Sequence, residues 1–457
     1  MPTDSWTSQS ADHTVVFDGG DFVSQPFVVS CDVTGVNAGA LGDADWLHRI
    51  GGHRPKGGTH QHNLYSIFPP EKFAATHPEI YPIYGGQRYI PKSVGDQNWQ
   101  IDFTAPAALD AAEQSITDYF HGTPLAEYIA VSVNDNNRWS ESEPNQQIVA
   151  KFKAMDPKGN YALEASADTY WRFINQLAAW MQQAFPAKKL VALGYGPTNS
   201  VPSFHLANNI VLFTNLHLSE LPIYTTASAG QTSILDQWLN VAHYYANHEW
   251  YEGEGYLLPR IYSDYWSQFL QILAARMPSA YMHAEGYPNW GFDGPKYYVM
   301  ARMWWDPGLD PKKLTHQFCV DMFGPAAPEM DGYFTQLEML WQQMDVVQGP
   351  KRKIGAWNNQ FITDPASLAM IANCHNLLVQ AGLSAQTDAQ KKRVALFVKC
   401  FTFSESLFDL AAEPKDEARY DHAVALAKDL AQDKWAVYNA DSPMQAIQVL
   451  YKGPVKK

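Results

Sequence analysis

Cysteine is scarce in this chain of 457 residues, with four in all. Cys31, Cys319, Cys374 and Cys400 stand far apart and form neither a Cys-x-x-Cys pair nor a Cys/His cluster. Neither a structural zinc nor a redox dithiol is indicated, and buried thiols are the expectation. Positive charge is also short: 33 Lys and Arg against 47 Asp and Glu leave a formal charge of −14. Phosphate binding needs clustered cations, so nucleic acid is not an expected partner. No uninterrupted apolar run approaches the roughly 20 residues that cross a bilayer, which argues against a membrane span. Gly-x-Ser-x-Gly, Walker and His-Glu-x-x-His patterns are missing, which weakens esterase, nucleotide-hydrolase and zinc-protease readings. The opening Met1-Pro-Thr-Asp-Ser-Trp6 lacks the charged and apolar regions of a signal peptide, so no export address is expected in the chain as it stands.

Aromatic residues, by contrast, are abundant: 13% of the chain, with 15 Trp and 24 Tyr. Flat rings that carry one polar atom suit stacking against the apolar faces of sugars, although large cores bury such rings too. Hydrophobic residues make up 46% of the chain, and single cores stop growing near about 250–300 residues, so two units are expected. Short apolar runs alternate with amphipathic stretches as far as about residue 310, the pattern of parallel strands joined by crossover helices. Eight strands are predicted: Phe27 to Cys31, Gly58 to Asn63, Gln100 to Phe103, Tyr128 to Val133, Leu190 to Gly194, Ile210 to Phe213, Tyr256 to Ile261 and Ala280 to Ala284. Helices are predicted at Ala107 to Phe120, Ala167 to Phe185, Ile234 to His248 and Ser263 to Arg276. After Trp305-Asp-Pro307 the strand signals vanish and helices follow: Lys312 to Met322, Pro328 to Met344, Pro365 to Leu383, Asp388 to Leu410 and Asp416 to Tyr438. The expected fold class is α/β, a (β/α)8 TIM-type barrel followed by an all-helical domain. The expected divisions are an extension over 1–25, a barrel over 26–310 and a helical domain over 311–457.

Barrel active sites lie where strands end at their C-terminal side. Beyond Tyr128 to Val133 comes Asn134-Asp135-Asn-Asn-Arg138-Trp139-Ser-Glu141-Ser-Glu143, a polar loop with three carboxylates and a ring. A plain Asn-capped turn would look the same over its first four residues. Beyond Ala280 to Ala284 comes Glu285-Gly-Tyr287-Pro-Asn-Trp290, a carboxylate beside two aromatics. Its structural alternative is a tight turn at Gly286, with Trp290 as a core plug and Glu285 as a cap. Other strand ends offer Tyr195, Asn215, His217, Arg260, Tyr262 and Asp264, each weak alone. Trp46 to Arg49 and Gly57 to His62 would overhang the same mouth. His60 and His62 would share one face of a strand, but no third ligand stands near them in sequence, so neither a metal nor a cofactor is expected. Paired carboxylates and stacking rings suit glycosidic cleavage, which needs a proton donor for the leaving oxygen and negative charge near an oxocarbenium-like centre.

Several motifs, in order, resemble one family: His62 to Gly86 with His77-Pro-Glu-Ile-Tyr81 and Tyr84-Gly-Gly86, then Ser132-Val-Asn-Asp135, Pro259-Arg-Ile-Tyr262, Glu285 to Tyr298, and Trp305-Asp-Pro307. Over roughly residues 26 to 345 the chain resembles the DUF4838 family, which includes glycoside hydrolase family 163, endo-β-N-acetylglucosaminidases of complex N-glycans. The resemblance implies a retaining, substrate-assisted hydrolase of β-N-acetylglucosaminide linkages, acting on an oligosaccharide or glycan in a secreted or periplasmic setting. It implies Glu285 as general acid/base beside an apolar wall of Tyr287 and Trp290 and Asp135 orienting the 2-acetamido group with Asn134, or the two carboxylates in reversed roles, and Glu141 as reserve acid. Tyr262, Trp139 and Trp290 would form the stacking platform, with His62, Arg260 and Asn215 completing the binding surface. Relatives commonly place cysteines around the acidic loop, where this chain has Ser140-Glu141-Ser142, and carry an extra N-terminal α/β domain. Two other readings stay open. An α-glucuronidase-like enzyme would gather Arg260, Arg138 and Lys296 around a substrate carboxylate, and a non-catalytic sugar-binding barrel would keep the rings while its carboxylates fail to converge.

Overall fold

The computed structural model describes residues 27–34, 61–227, 232–251, 259–287, 289–348, 364–433, 435–437 and 439–450. Its centre is a parallel sheet of six strands: β1 (Val28–Thr34), β4 (Tyr128–Ala130), β5 (Lys189–Gly194), β6 (Ile210–Thr214), β7 (Tyr244–Glu249) and β8 (Ala280–Glu285). They lie side by side in the order β1-β8-β7-β6-β5-β4. A separate two-stranded hairpin, β2 (Ile83–Tyr84) with β3 (Gln87–Arg88), turns through Gly85 and Gly86. Both glycines have positive φ, 57° and 75°, which a two-residue hairpin loop of this kind demands and which glycine adopts without strain.

The sheet strands are apolar on both sides, as parallel strands covered on both faces must be. Ile210 to Thr214 are all buried. Their period of two sorts them onto two faces. Ala130, Val191, Leu193, Val211, Phe213 and Ala246, with Tyr128, Tyr195, Tyr244 and Tyr281, form a small cluster on one face. Ile129, Leu190, Ala192, Ile210, Leu212, Tyr245, Met282 and Ala284 join the large core beneath the helices on the other. That parity decides which residues at the ends of β5 to β8 face a common pocket.

The described residues supply six strands of this sheet, not the eight of a closed barrel, and two predicted elements change. The predicted helix Ile234 to His248 is a helix only to Val241, and then becomes β7. Leu235, Trp238, Leu239, Ala242, Tyr245 and Ala246 repeat at three- and four-residue spacing, so the helical period runs straight across the break. Ala242 ends the helix by turning extended, at φ −101° and ψ 143°. The predicted strand Tyr256 to Ile261 correspondingly fails: 259–261 are not strand, and 256–258 lie outside the described residues. Gln100 to Phe103 is likewise irregular, as are 61–63, while 58–60 lie outside the described residues.

The two segments expected to be the second and third strands nevertheless flank β4 and its extension. Asn63 donates to the Ala130 carbonyl at 2.6 Å and accepts from the Ser132 N–H at 2.9 Å. Gln100 does the same for Asn134, donating to its carbonyl at 2.9 Å and accepting from its N–H at 3.0 Å. A carboxamide has the donor and acceptor of a peptide group, so each side chain replaces one rung of a ladder. Buried peptide groups at this edge are thereby satisfied without a paired strand.

Beyond Trp305 the described chain is helical: Pro311–Phe323, Ala327–Gln348, Pro365–Ser384, Asp388–Ala412, Glu417–Leu430 and Ser442–Leu450. The starts are written in capping residues. Asp310 accepts from the Lys312 N–H and Asp364 from the Ser367 N–H, each followed by proline at the first helical position. Thr387 and Gln390 make a reciprocal capping box. No helix of the described residues is long and apolar enough to cross a membrane.

Candidate active site

Glu285 is the last residue of β8, and the parity of the sheet puts it on the same face as Tyr281 and His283. His248 is the register partner of His283 on β7, and the two rings lie 4.6 Å apart between centroids. Both histidines are 4% exposed. His248 Nε2 approaches Glu285 Oε1 at 3.2 Å, while the Glu285 side chain keeps 25% of its surface open. One ligating atom from each of His248, His283 and Glu285 falls within 4.8 Å of the others.

A second carboxylate comes from the other side of the sheet. Asp135 follows the β4 extension and is exposed. The Tyr195 hydroxyl, beyond the end of β5, donates to Asp135 Oδ1 at 2.9 Å. His62 donates through Nδ1 to the Val133 carbonyl at 2.8 Å, because a carbonyl can only accept, which leaves Nε2 as the acceptor of the neutral ring. Its ring meets Tyr195 edge-on at 5.6 Å. His62 and Tyr287 have φ of 50° and 36°. Left-handed backbone in bulky residues is strained and persists where surrounding contacts impose it.

These groups line one pocket of about 450 Å³, open to solvent: Asp135 and Glu285 with Gln61, His62, Leu193, Tyr195, Asn215, His248 and Trp250. A second cavity of about 980 Å³ shares Asp135, Tyr195, Asn215 and Trp250 with it and runs on over Gly196 and Asn199 to Leu163. The arrangement can place a proton donor, a second carboxylate and two ring faces around one guest.

A buried charge cluster braces this rim from behind. Lys296 is 0% exposed and bonds Asp293 at 2.6 Å and the Tyr251 carbonyl at 2.9 Å. It thus ties the loop after β7 to the turn after β8. Burial pushes the Lys296 ammonium down to about 8, against the pull of Asp293. Glu249, fully buried, accepts from the Leu218 N–H at 2.7 Å and the Tyr262 hydroxyl at 3.3 Å. Burial pushes its carboxyl up to about 8, outweighing these hydrogen bonds and the charges of Arg260 and Lys296. The Tyr297 hydroxyl donates to the Gly286 carbonyl and fixes the turn just past Glu285.

Of the residues singled out from sequence, Glu285, Asp135, His62, Tyr195 and Asn215 meet in the pocket. Others are placed elsewhere. Arg260 is 2% exposed and donates to the Trp250 carbonyl at 3.3 Å, so it supports the rim from behind rather than facing a guest. Tyr262 is buried beside it against Glu249. Asn134 is buried and its side-chain amide donates to the Trp99 carbonyl at 2.8 Å, so it serves the framework rather than the pocket. Glu141 accepts from the Gly85 N–H at 2.7 Å and anchors the β2–β3 hairpin. Trp139 stacks on Phe103 at 5.3 Å and donates to Asn145. Trp290 packs on Tyr297 at 5.6 Å. Neither Trp290 nor the half-buried Tyr287 lines the pocket, so the expected apolar wall of Glu285 is replaced by His248 and Trp250. Sequence reasoning missed His248 and Trp250 as site residues, whereas Gln61 belongs to the run 57–62 that it set at the mouth. The ring-rich run His248-Glu-Trp-Tyr251 was the available signal, hidden by the continuous helical period.

A family model described as a domain of unknown function, DUF4838, matches residues 40–335, well over half of the chain. The chain belongs to the DUF4838 family. In this DUF4838 chain every pocket residue, from Gln61 to Glu285, falls inside the matched segment. No curated protein matches it. A solved structure described as that of CpGH84B is similar over 93% of this chain and 77% of that one, at 11% identity and a TM-score of 0.30.

Proposed function

We propose that this DUF4838 protein is a glycoside hydrolase that cleaves β-N-acetylglucosaminide linkages with Glu285 as proton donor and Asp135 as the partner carboxylate. The observation that carries the reading is that Asp135 and Glu285, delivered from opposite strands of the sheet, line one open pocket together with Tyr195 and Trp250. In the proposed step Glu285 gives its proton to the glycosidic oxygen as the bond to the anomeric carbon breaks. The sugar's own 2-acetamido oxygen closes on that carbon, with Asp135 orienting the acetamido N–H. Water then opens the ring so formed, the Glu285 carboxylate takes its proton, and the configuration is retained. Trp250 and Tyr195 offer the stacking faces, and His248 holds Glu285 in place.

The uronate reading loses its cations. No Lys or Arg lines the pocket among the described residues, Lys296 and Arg260 are buried in the brace, and the Arg138 guanidinium lies 3.7 Å over the Tyr84 ring. The purely binding reading requires carboxylates that do not converge, whereas these two share one pocket. The test is incubation with a complex N-glycan, a chromogenic N-acetylglucosaminide and glucuronoxylan fragments, with released sugars identified by mass. Release from the first or second is expected, and Glu285→Gln should lower kcat by about 10²–10⁴-fold, the usual contribution of a positioned acid. Near wild-type activity in that variant would remove Glu285 from the role, and release from none of the substrates would leave a binding protein.

A further inference from the structure

Among the described residues, His248, His283 and Glu285 are the one place where three metal-ligating side chains meet. Three features make this more than proximity. The histidines are register partners on adjacent parallel strands, so the sheet itself fixes their spacing. Glu285 follows His283 at the same parity, and its Oε1 already stands 3.2 Å from His248 Nε2, close to the edge of a tetrahedron with ligands at about 2.0–2.2 Å. The two imidazoles are buried while the carboxylate opens to the pocket, so three protein ligands would leave a fourth position facing the cleft.

We propose that His248, His283 and Glu285 bind one divalent transition-metal ion of the Zn²⁺ class at the floor of the pocket, and that occupancy blocks the reaction. Two imidazoles and one carboxylate suit Zn²⁺ or Co²⁺ far better than Mg²⁺ or Ca²⁺, which take oxygen ligands. Coordination uses the Glu285 lone pair that must otherwise carry the transferred proton, and binding releases any proton held by the ligands. The binding claim stands without the glycosidase reading, and only the inhibition rests on it.

The experiment is calorimetric titration of chelator-treated full-length protein with Zn²⁺, paralleled by Co²⁺ absorption. One equivalent is expected, with cobalt bands of a four-coordinate nitrogen and oxygen site. His283→Gln and Glu285→Gln should each weaken binding by at least about 100-fold, a larger loss than the 10–100-fold typical of outer-shell changes. Circular dichroism and thermal unfolding establish that each variant is folded, and Glu285→Gln, partly exposed, guards against misfolding of the buried His283 variant. Two exposed pairs, His316 with Asp331 and His375 with Glu405, each at 3.1 Å, could bind metal adventitiously, so a His316→Ala/His375→Ala protein must retain the tight equivalent. Thiolate charge-transfer bands, binding that survives both site variants, or no binding at micromolar Zn²⁺ would each overturn the site. With a working glycosidase assay, Zn²⁺ should inhibit in proportion to occupancy and a chelator should restore the rate; full activity at saturating Zn²⁺ overturns the block. Tight binding without turnover of any substrate would uphold the site and count against the function proposed above, so the two failures are separable.

Discussion

Glu249 stands one residue beyond His248, on the opposite face of β7, and its burial makes stability depend on pH in a definite direction. Its carboxyl rises from an ordinary 4.5 to about 8 because burial disfavours the charged form more than the Leu218 N–H, Arg260, Tyr262 and Lys296 favour it. Between roughly pH 4.5 and 8 the folded chain therefore holds a proton that the unfolded chain has released. The unfolded state binds fewer protons, so stability is fully present below the lower value and falls as pH rises through the window. At about 1.4 kcal/mol for each pH unit, the loss is on the order of 5 kcal/mol across it. Glu249→Gln keeps the shape of the neutral acid and cannot ionise. Urea unfolding of both proteins at pH 5.5, 6.5 and 7.5, followed by tryptophan fluorescence, lets every other titrating group cancel in the comparison. The variant should gain on the wild type by about 1.4 kcal/mol per pH unit. A difference that stays constant with pH, or that moves against the variant, refutes the reasoning.

Three further perturbations test the framework that holds the pocket. Lys296→Met should destabilise by about 3–5 kcal/mol, because it leaves Asp293 charged and buried without its partner, and adding Asp293→Asn should recover part of that loss in thermal melts. Gln100→Ala strands the buried Asn134 N–H, while the Asn134 carbonyl keeps the Asn136 N–H at 2.8 Å, and should cost about 1–3 kcal/mol for the group left unsatisfied, with local amide exchange around 132–136 speeding up first. Gly294→Ala should cost at least about 1–3 kcal/mol: Gly294 has φ 53°, and a methyl group there would strike the Phe334 ring. Unchanged unfolding midpoints would count against each account in turn.

The parts of the fold that were legible in sequence are those with an unambiguous local code. The starts at Pro106, Pro311 and Pro365 and the Thr387 cap carry their own stop-and-start chemistry, and the predicted helices there match to within a few residues. β5 and β6 read correctly because each is a short apolar run buried on both sides, and β8 because Ala280, Met282 and Ala284 alternate with residues of the other face. β7 failed because a strand with both faces buried shows no alternation, and its tyrosines continued the helical spacing of the segment before it. The segments around Asn63 and Gln100 failed for another reason: they occupy the place of strands while bonding through side-chain amides, so no backbone pattern announces them. The site divides in the same way. Glu285 and Asp135 were visible because they follow recognisable strand ends, whereas the His248–His283 pair joins residues 35 apart that only strand register brings together.

The parity of β7 carries a consequence beyond its own residues. With the strand ending at Glu249, the face bearing Ala246 continues to His248 and Trp250 in the pocket, while Tyr245, Asn247 and Glu249 face the helices. Asn247 there bonds both the N–H and the carbonyl of Leu216, at 3.0 and 2.9 Å, and so sets the loop that carries Asn215. Asn215 in turn donates to the His248 carbonyl at 2.9 Å. One strand end thus contributes groups to the cleft from one face and, from the other, the amide and the buried acid that hold those groups in position. A slip of one residue would put Glu249 where His248 stands and drive the Trp250 indole against Leu218 and Tyr262. The pocket and its brace therefore depend on a single register, which the Leu216 clamp and the Lys296 bridge fix from two sides.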